Sequence, residues 1–285
     1  MNFDKLKELA DALPDNVKAN AQALIERMDS TIEGIGDEGV KWKVPFARLI
    51  QATTDRSKLA KGVTIGDILI GENKQETPMK FIPIRAWEAR QMWSPDKDEA
   101  KMLCSSPDAK VGYLGYNCKE CPHSKFVEGK GSECGKLKVV MAIKADLSEI
   151  FTTQFGKTGY KVGMEFETVM KKAGVAPYRR VYGMSGETNK QYKNVENFKI
   201  ETFEGKERDT PAELLPFITE LFTIIGADRK ENVDAFHKFI AAKKQTPEYL
   251  ALQASNAAEE SVVLIEDAQV KTEVKTSPMA KKYEV

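Results

Sequence analysis

Apolar residues recur at helical spacing from the start of the chain. Phe3, Leu6, Leu9, Ala10 and Leu13 mark one face and stop at Pro14, and Val17, Ala21, Leu24, Ile25 and Met28 mark a second. From about residue 40 to 203 the period shortens towards two. This predicts strands over 40–51, 63–70, 79–87, 136–145, 178–184 and 191–203. One helix interrupts them at 162–173, with Val162, Phe166, Val169 and Met170 on a common face and Gly174 as its stop. Past Thr210-Pro211 the helical period returns through Leu214, Leu215, Ile218, Leu221, Phe222 and Ile225, then Val233, Phe236, Phe239 and Ile240. Gly226-Ala227-Asp228 reads as the joint between two helices. Beyond residue 255 periodicity is lost, except for the short apolar island Val262-Val263-Leu264-Ile265 between acidic pairs.

Several short strands with one helix and irregular connections predict an α+β chain built on a small, partly closed β-barrel of OB type. The expected organisation is an N-terminal helical segment (1–39), a β-rich domain (40–205), C-terminal helices (206–254) and a flexible tail (255–285).

Composition narrows the function less than its distribution does. The 285 residues are 41% hydrophobic and 30% charged, a soluble globular balance. No apolar run approaches the ~18 residues that a bilayer span needs. The first residues, Met1-Asn2-Phe3-Asp4-Lys5, carry no apolar signal core, so a cytoplasmic protein is expected. Lysines plus arginines balance aspartates plus glutamates at 43 each. Residues 81–200, however, hold 20 basic against 14 acidic side chains, and 14 of the 24 aromatic residues. Cations beside aromatic rings suit single-stranded nucleic acid, whose phosphates need positive charge and whose unstacked bases need flat apolar faces.

Catalytic signatures fail on inspection. Gly34, Gly36 and Gly39 spell G-x-G-x-x-G but follow a helix, whereas a dinucleotide fold needs a strand before them. They read as a helix stop and turn. Phe155-Gly156-Lys157-Thr158 contains the end of a phosphate-binding loop, but Phe151 stands where that loop needs its first glycine. Only His123 and His237 could serve as histidine bases, and no acid–base pair is recognisable. A non-catalytic protein is expected.

The cysteines carry the sharpest signal. Cys104, Cys118, Cys121 and Cys134 are spaced C-x13-C-x2-C-x12-C, and glycines and prolines supply turns between them. Two thiolates from an x2 turn and two on longer arms can complete a tetrahedron around one structural zinc ion. An iron–sulfur cluster or free or disulfide-bonded cysteines are the alternatives, and His123 could replace one cysteine. Four thiolates leave no open position, so the metal would be structural.

The segment 81–203, with Trp87, Trp93, Cys104-Ser105-Ser106-Pro107-Asp108, Gly115, Cys118-x-x-Cys121-Pro122 and Cys134, resembles the single-stranded-DNA-binding proteins of tailed bacteriophages. The likeness covers about 120 residues, and its specific part is the cysteine segment. It departs in lacking a histidine before a cysteine trio, Cys104 standing there instead, and in a tail that is only mildly acidic. The resemblance implies an OB-type barrel with an inserted zinc loop and a basic, aromatic cleft for the strand. It also implies a C-terminal region that recruits replication, recombination or transcription partners such as a polymerase. Candidate phosphate ligands are Lys136, Lys138, Lys144, Lys171, Lys172, Arg179, Arg180 and Lys193. Candidate stacking residues are Trp87, Trp93, Tyr178, Tyr182 and Tyr192. In a strand from 178, Arg180 would share a face with Tyr178 and Tyr182. The competing expectation is a zinc-stapled transcription cofactor that acts through protein contacts with a polymerase. No membrane partner is expected.

Overall fold

The computed structural model describes residues 3–33, 44–54, 59, 61–95, 101–126, 131–193, 195–247 and 249. The glycine turn at 34–39, the start of the 40–51 strand and the tail from 255 lie outside them. The chain forms two compact units, 1–233 and 234–285. Among the described residues the second unit carries the end of the last helix and the turn after it, where the Thr246 hydroxyl donates to the Lys243 carbonyl at 2.9 Å.

The first unit is a mixed α+β structure. Helices α1 (Asp4–Asp11) and α2 (Asp15–Glu33) break at Pro14, whose ring removes a backbone donor. Their buried positions are Phe3, Leu6, Ala10 and Leu13, then Val17, Ala21, Leu24, Ile25 and Met28, which is the apolar stripe of the sequence with Leu9 at its margin. Nine strands among the described residues form one sheet: β1 (Phe46–Leu49), β2 (Ile68–Ile70), β3 (Asn73–Lys74), β4 (Met79–Trp93), β5 (Met102–Ser106), β6 (Cys134–Lys144), β7 (Ile150–Gly156), β8 (Tyr182–Thr188) and β9 (Glu196–Thr202). The order is β3-β2-β1-β7-β6-β4-β8-β9, with β5 added to the far half of β4. All ladders are antiparallel except β1 with β7.

Two apolar cores lie on opposite faces of this sheet. Leu6, Leu24, Ile25 and Met28 join Ile82, Ile84, Ile143, Ile150, Phe217 and Leu221 on one face. On the other, Ala47, Ile68 and Ile70 from one end of the sheet meet Met184, Phe198 and Ile200 from the other. Opposite ends can share a core only if the sheet curls, so this face is the inside of a half-barrel. At its centre Phe81 meets the rings of Phe151, Phe166 and Tyr182 at 6.0, 5.8 and 6.1 Å. Complete burial of each such ring contributes about 1.5–3 kcal/mol. Among the described residues one side chain hydrogen-bonds across the seam between the ends: the Gln51 amide donates to the Glu196 carbonyl and accepts from the Glu196 N–H, both at 2.8 Å.

Helix α3 (Tyr160–Lys172) covers the inside of the half-barrel with Phe166 and Met170. It approaches closely because Gly163 has no side chain, since a Cβ there would lie 2.7 Å from Phe155 Cβ and 2.8 Å from Lys138 Cβ.

Several elements differ from the sequence expectation. Strand β7 went unpredicted because both its faces are buried, which puts Thr152 and Thr153 in the interior and erases the alternation. The expected strand 178–184 begins at Tyr182 instead, because Pro177–Arg179 form a 3-10 turn. The two expected C-terminal helices are one, α4 (Leu215–Lys243). Gly226 is not its break. A Cβ at 226 would fall on the Arg85 guanidinium, which lies 4.1 Å over the Phe222 ring and donates to the Phe222 carbonyl at 3.3 Å. The glycine is a notch for a side chain from the sheet. Among the described residues no helix is long and apolar enough to cross a membrane.

Candidate cysteine centre and nucleic-acid interface

Strand β4 outlasts its partner β8 and gains a different neighbour. Its far half lies between β5 and β6, so that Met92 is opposite both Cys104 and Cys134 and Arg90 is opposite both Ser106 and Lys136. Directly paired residues share a face, which places two cysteines, Arg90 and Ser106 on one side of the sheet. The other two cysteines arrive on a turn. A bridge between Val111 and Asn117 closes a small loop, then Cys118 N–H donates to the Lys110 carbonyl and Cys121 N–H to the Asn117 carbonyl, both at 2.8 Å. Gly112 lets the two arms meet: a Cβ there would lie 2.8 Å from Cys104 Sγ and 3.9 Å from Cys118 Sγ. Cys118, Cys121 and Cys134 are buried and Cys104 is partly so, all as free thiols.

The thiols sense one another. Burial pushes the Cys118 and Cys134 thiols up, the neighbouring sulfurs add to the rise, and the Arg90 guanidinium opposes it. Arg90 is buried, its Nε has no hydrogen-bond partner, and among the described residues no carboxylate lies within ion-pair distance of it. A buried cation without a counter-ion is costly. The groups placed to balance it are the cysteines, once ionised. As they stand, no three His, Cys, Asp or Glu side chains among the described residues are grouped closely enough to hold a metal ion. His123 is engaged elsewhere, with Nδ1 at 2.6 Å from Glu133.

The residues chosen from sequence for nucleic acid do not gather on one surface. Lys138 lies 3.2 Å from Glu88 and 2.7 Å from Glu167, beneath α3. Lys144 faces Asp146 at 3.6 Å, Lys171 pairs with Glu167 at 2.7 Å, and Arg180 is ion-paired with Asp209. Tyr182 is in the core, and Tyr178 packs on Phe222 at 5.1 Å in the opposite core. The common face imagined for Arg180, Tyr178 and Tyr182 therefore does not exist, because alternation cannot run through a 3-10 turn. Arg229 lies 4.5 Å over the Trp87 ring and also donates to the Pro107 carbonyl at 3.0 Å, so one ring face is occupied. Lys136, Lys172, Arg179 and Lys193 are exposed, as are Trp93 and Tyr192 at about half their area. Trp93 and Lys136 stand at the cysteine end of β4 and β6, and Tyr192 and Lys193 in the β8–β9 turn.

A cleft of about 580 Å³ opens where sequence reasoning placed no site. Strands β1 and β7 pair only at Phe46/Thr152 and Ala47/Thr153, then diverge. The gap is lined by Phe46, Arg48, Gln154, Lys157, Thr158 and Asn197, with Phe155 and Phe198 beneath. Lys157 belongs to the Gly-Lys-Thr fragment rejected as a phosphate loop, and it has φ 50°. That local signal was visible in the sequence. The splay of β1 from β7 was not. No family model, curated protein or solved structure matches this chain.

Proposed function

We propose that the protein binds single-stranded DNA without catalysing a reaction on it, and that its four cysteines hold one structural zinc ion. The setting would be phage replication, recombination or transcription. The observation that carries the DNA reading is the exposure, on one curled sheet, of the rings of Trp93 and Tyr192 together with Lys136 and Lys193, which make no ion pair among the described residues. Rings offer stacking of about 1–3 kcal/mol per base and cations replace counter-ions at phosphates. The metal reading rests on Arg90. A tetrathiolate zinc centre is anionic, and a buried arginine beside Cys118 and Cys134 supplies the compensating charge. Zinc would join the 118–121 turn to β5 and β6, so its binding energy would be folding energy.

Two measurements test the reading. Fluorescence anisotropy of a labelled thymidine oligomer should show binding that weakens steeply with salt, with the oligomer intact after incubation in magnesium. Binding that ignores salt, or cleavage, would defeat it. Metal analysis of protein purified without chelator should give one zinc per chain, lost in Cys118→Ser with a lower Tm. A brown protein with broad visible absorption would assign an iron–sulfur cluster instead, and no metal at all would sink the staple.

A further inference from the structure

The cleft between β1 and β7 has chemistry of its own. Phe46 is 54% exposed although it lies in a strand. By alternation Phe46 and Arg48 point away from the core that Ala47 and Leu49 face. Gln154, one residue beyond the last β1–β7 pair, lies on that same side of β7, since Phe151 and Phe155 face the inner core. Across the gap, Lys157 follows the last residue of β7. The Leu137–Gly156 pair ends the β6–β7 ladder, so Lys136 and Lys157 are each one residue past it.

Three features indicate that this opening holds a ligand. First, Arg48 and Lys157 make no ion pair among the described residues, whereas Lys138, Lys144, Lys171 and Arg180 all do. Second, Lys157 sits in the left-handed region at φ 50°, a conformation that strains a residue bearing a Cβ. Glycine would relieve that strain, so a lysine in this conformation points to use of the side chain. Third, among the described residues no strand pairs with the edge of β7 beyond Thr153 on the β1 side, and the amides of Gln154 and Asn197 add donors and acceptors to the rim. Among the described residues the one carboxylate lining the cleft is Glu196, which accepts from the Thr188 hydroxyl at 2.9 Å.

We infer that this cleft holds one stretch of single-stranded DNA, with Arg48 and Lys157 at phosphates on either side and Phe46 stacked on a base. The inference rests on the DNA-binding reading and adds the place. Charge complementarity selects the occupant. Two cations that make no ion pair among the described residues, on the same cleft as an exposed ring, match a phosphodiester strand, whereas an apolar peptide would leave both without a counter-charge.

The test uses the full chain, a labelled thymidine oligomer and a salt titration. All three side chains are exposed, so their loss should leave the melting curve in place. Arg48→Ala with Lys157→Ala should weaken binding at least about tenfold at low salt and reduce the salt slope by roughly 1.4, as expected for two single-strand phosphates. Arg48→Lys with Lys157→Arg should restore the slope. Phe46→Ala should weaken binding by about 5- to 150-fold with the slope unchanged, since stacking releases no counter-ions. If the wild-type chain binds and these variants bind equally well, the strand runs elsewhere; the inference falls and the DNA-binding reading stands. If the wild-type chain does not bind the oligomer, both fall together. Binding of an extended peptide in the cleft in place of DNA would also overturn the inference.

Discussion

Lys138 separates structural charge from binding charge, and Lys138→Met is the substitution that exposes the difference. Methionine keeps the stem that packs beneath Gly163 and removes only the ammonium group. In the native chain the Lys138 side chain is 13% exposed and its ammonium bridges Glu88 and Glu167 at 3.2 and 2.7 Å. Breaking a fully buried ion pair on one side costs about 3–5 kcal/mol. Here the stranded carboxylates keep other partners: Lys171 stays 2.7 Å from Glu167, and the Tyr160 hydroxyl donates to Glu88 at 3.2 Å. Both carboxylates also reach water, so the expected loss is about 2 kcal/mol, or roughly 4–8 °C in Tm. The pH dependence follows from the shifts. Hydrogen bonds from Lys138 and Lys171 hold the Glu167 carboxyl below its usual range, so its contribution is present above ~4.3 and lost as pH falls through the folded value. Burial alone would lower the Lys138 pKa, but its bonds to Glu167 and Glu88 win and raise it, so its contribution is complete below ~10.4 and lost as pH rises through the folded value. The Lys138→Met penalty should thus be greatest between about pH 5 and 10 and shrink on either side. Chemical denaturation across pH measures it, and oligomer titration should show unchanged affinity and salt slope. A stability loss under about 0.5 kcal/mol, or a slope lowered by about 0.7, would refute the reasoning.

Gly226→Ala should destabilise the protein by about 1 kcal/mol. The gain in helix propensity is about 1 kcal/mol, while displacing Arg85 forfeits its contact with Phe222 and its hydrogen bond, about 2 kcal/mol together. In an Arg85→Ala background the same change should stabilise by about 1 kcal/mol, and a urea double-mutant cycle without that reversal of sign would contradict the notch. Gly163→Ala should cost about 1–2 kcal/mol, because the rigid Cβ atoms of Phe155 and Lys138 cannot yield, and a neutral or raised Tm would show that α3 can lift. Lys157→Gly should raise Tm slightly by removing left-handed strain yet weaken oligomer binding, and parallel losses of both would mean that the lysine is structural.

Local pattern settled the elements whose partners hardly matter. The stripe from Phe3 to Met28 needed only the helical period and Pro14, and α3 was legible from Phe166 and Met170 with Gly174 beyond. The clustering of the four cysteines along the chain was equally legible, since they lie within one short segment. What the sequence could not carry was any property set by residues far apart in it. Met92 stands between Cys104 and Cys134 only because β4 changes neighbours halfway along, and Arg90 joins the cysteines for the same reason. Lys138 and Arg180 look like free cations in the sequence, and their carboxylates come from α3, β4 and the loop at 209. Gly226 looks like a helix break until Arg85 from the sheet fills it. The cleft at Arg48 and Lys157 exists because two parallel strands pair for two residues and then part. Periodicity records which face of an element is buried, because burial repeats with the backbone. It does not record what lies opposite that face, which only the sheet order and the curl decide.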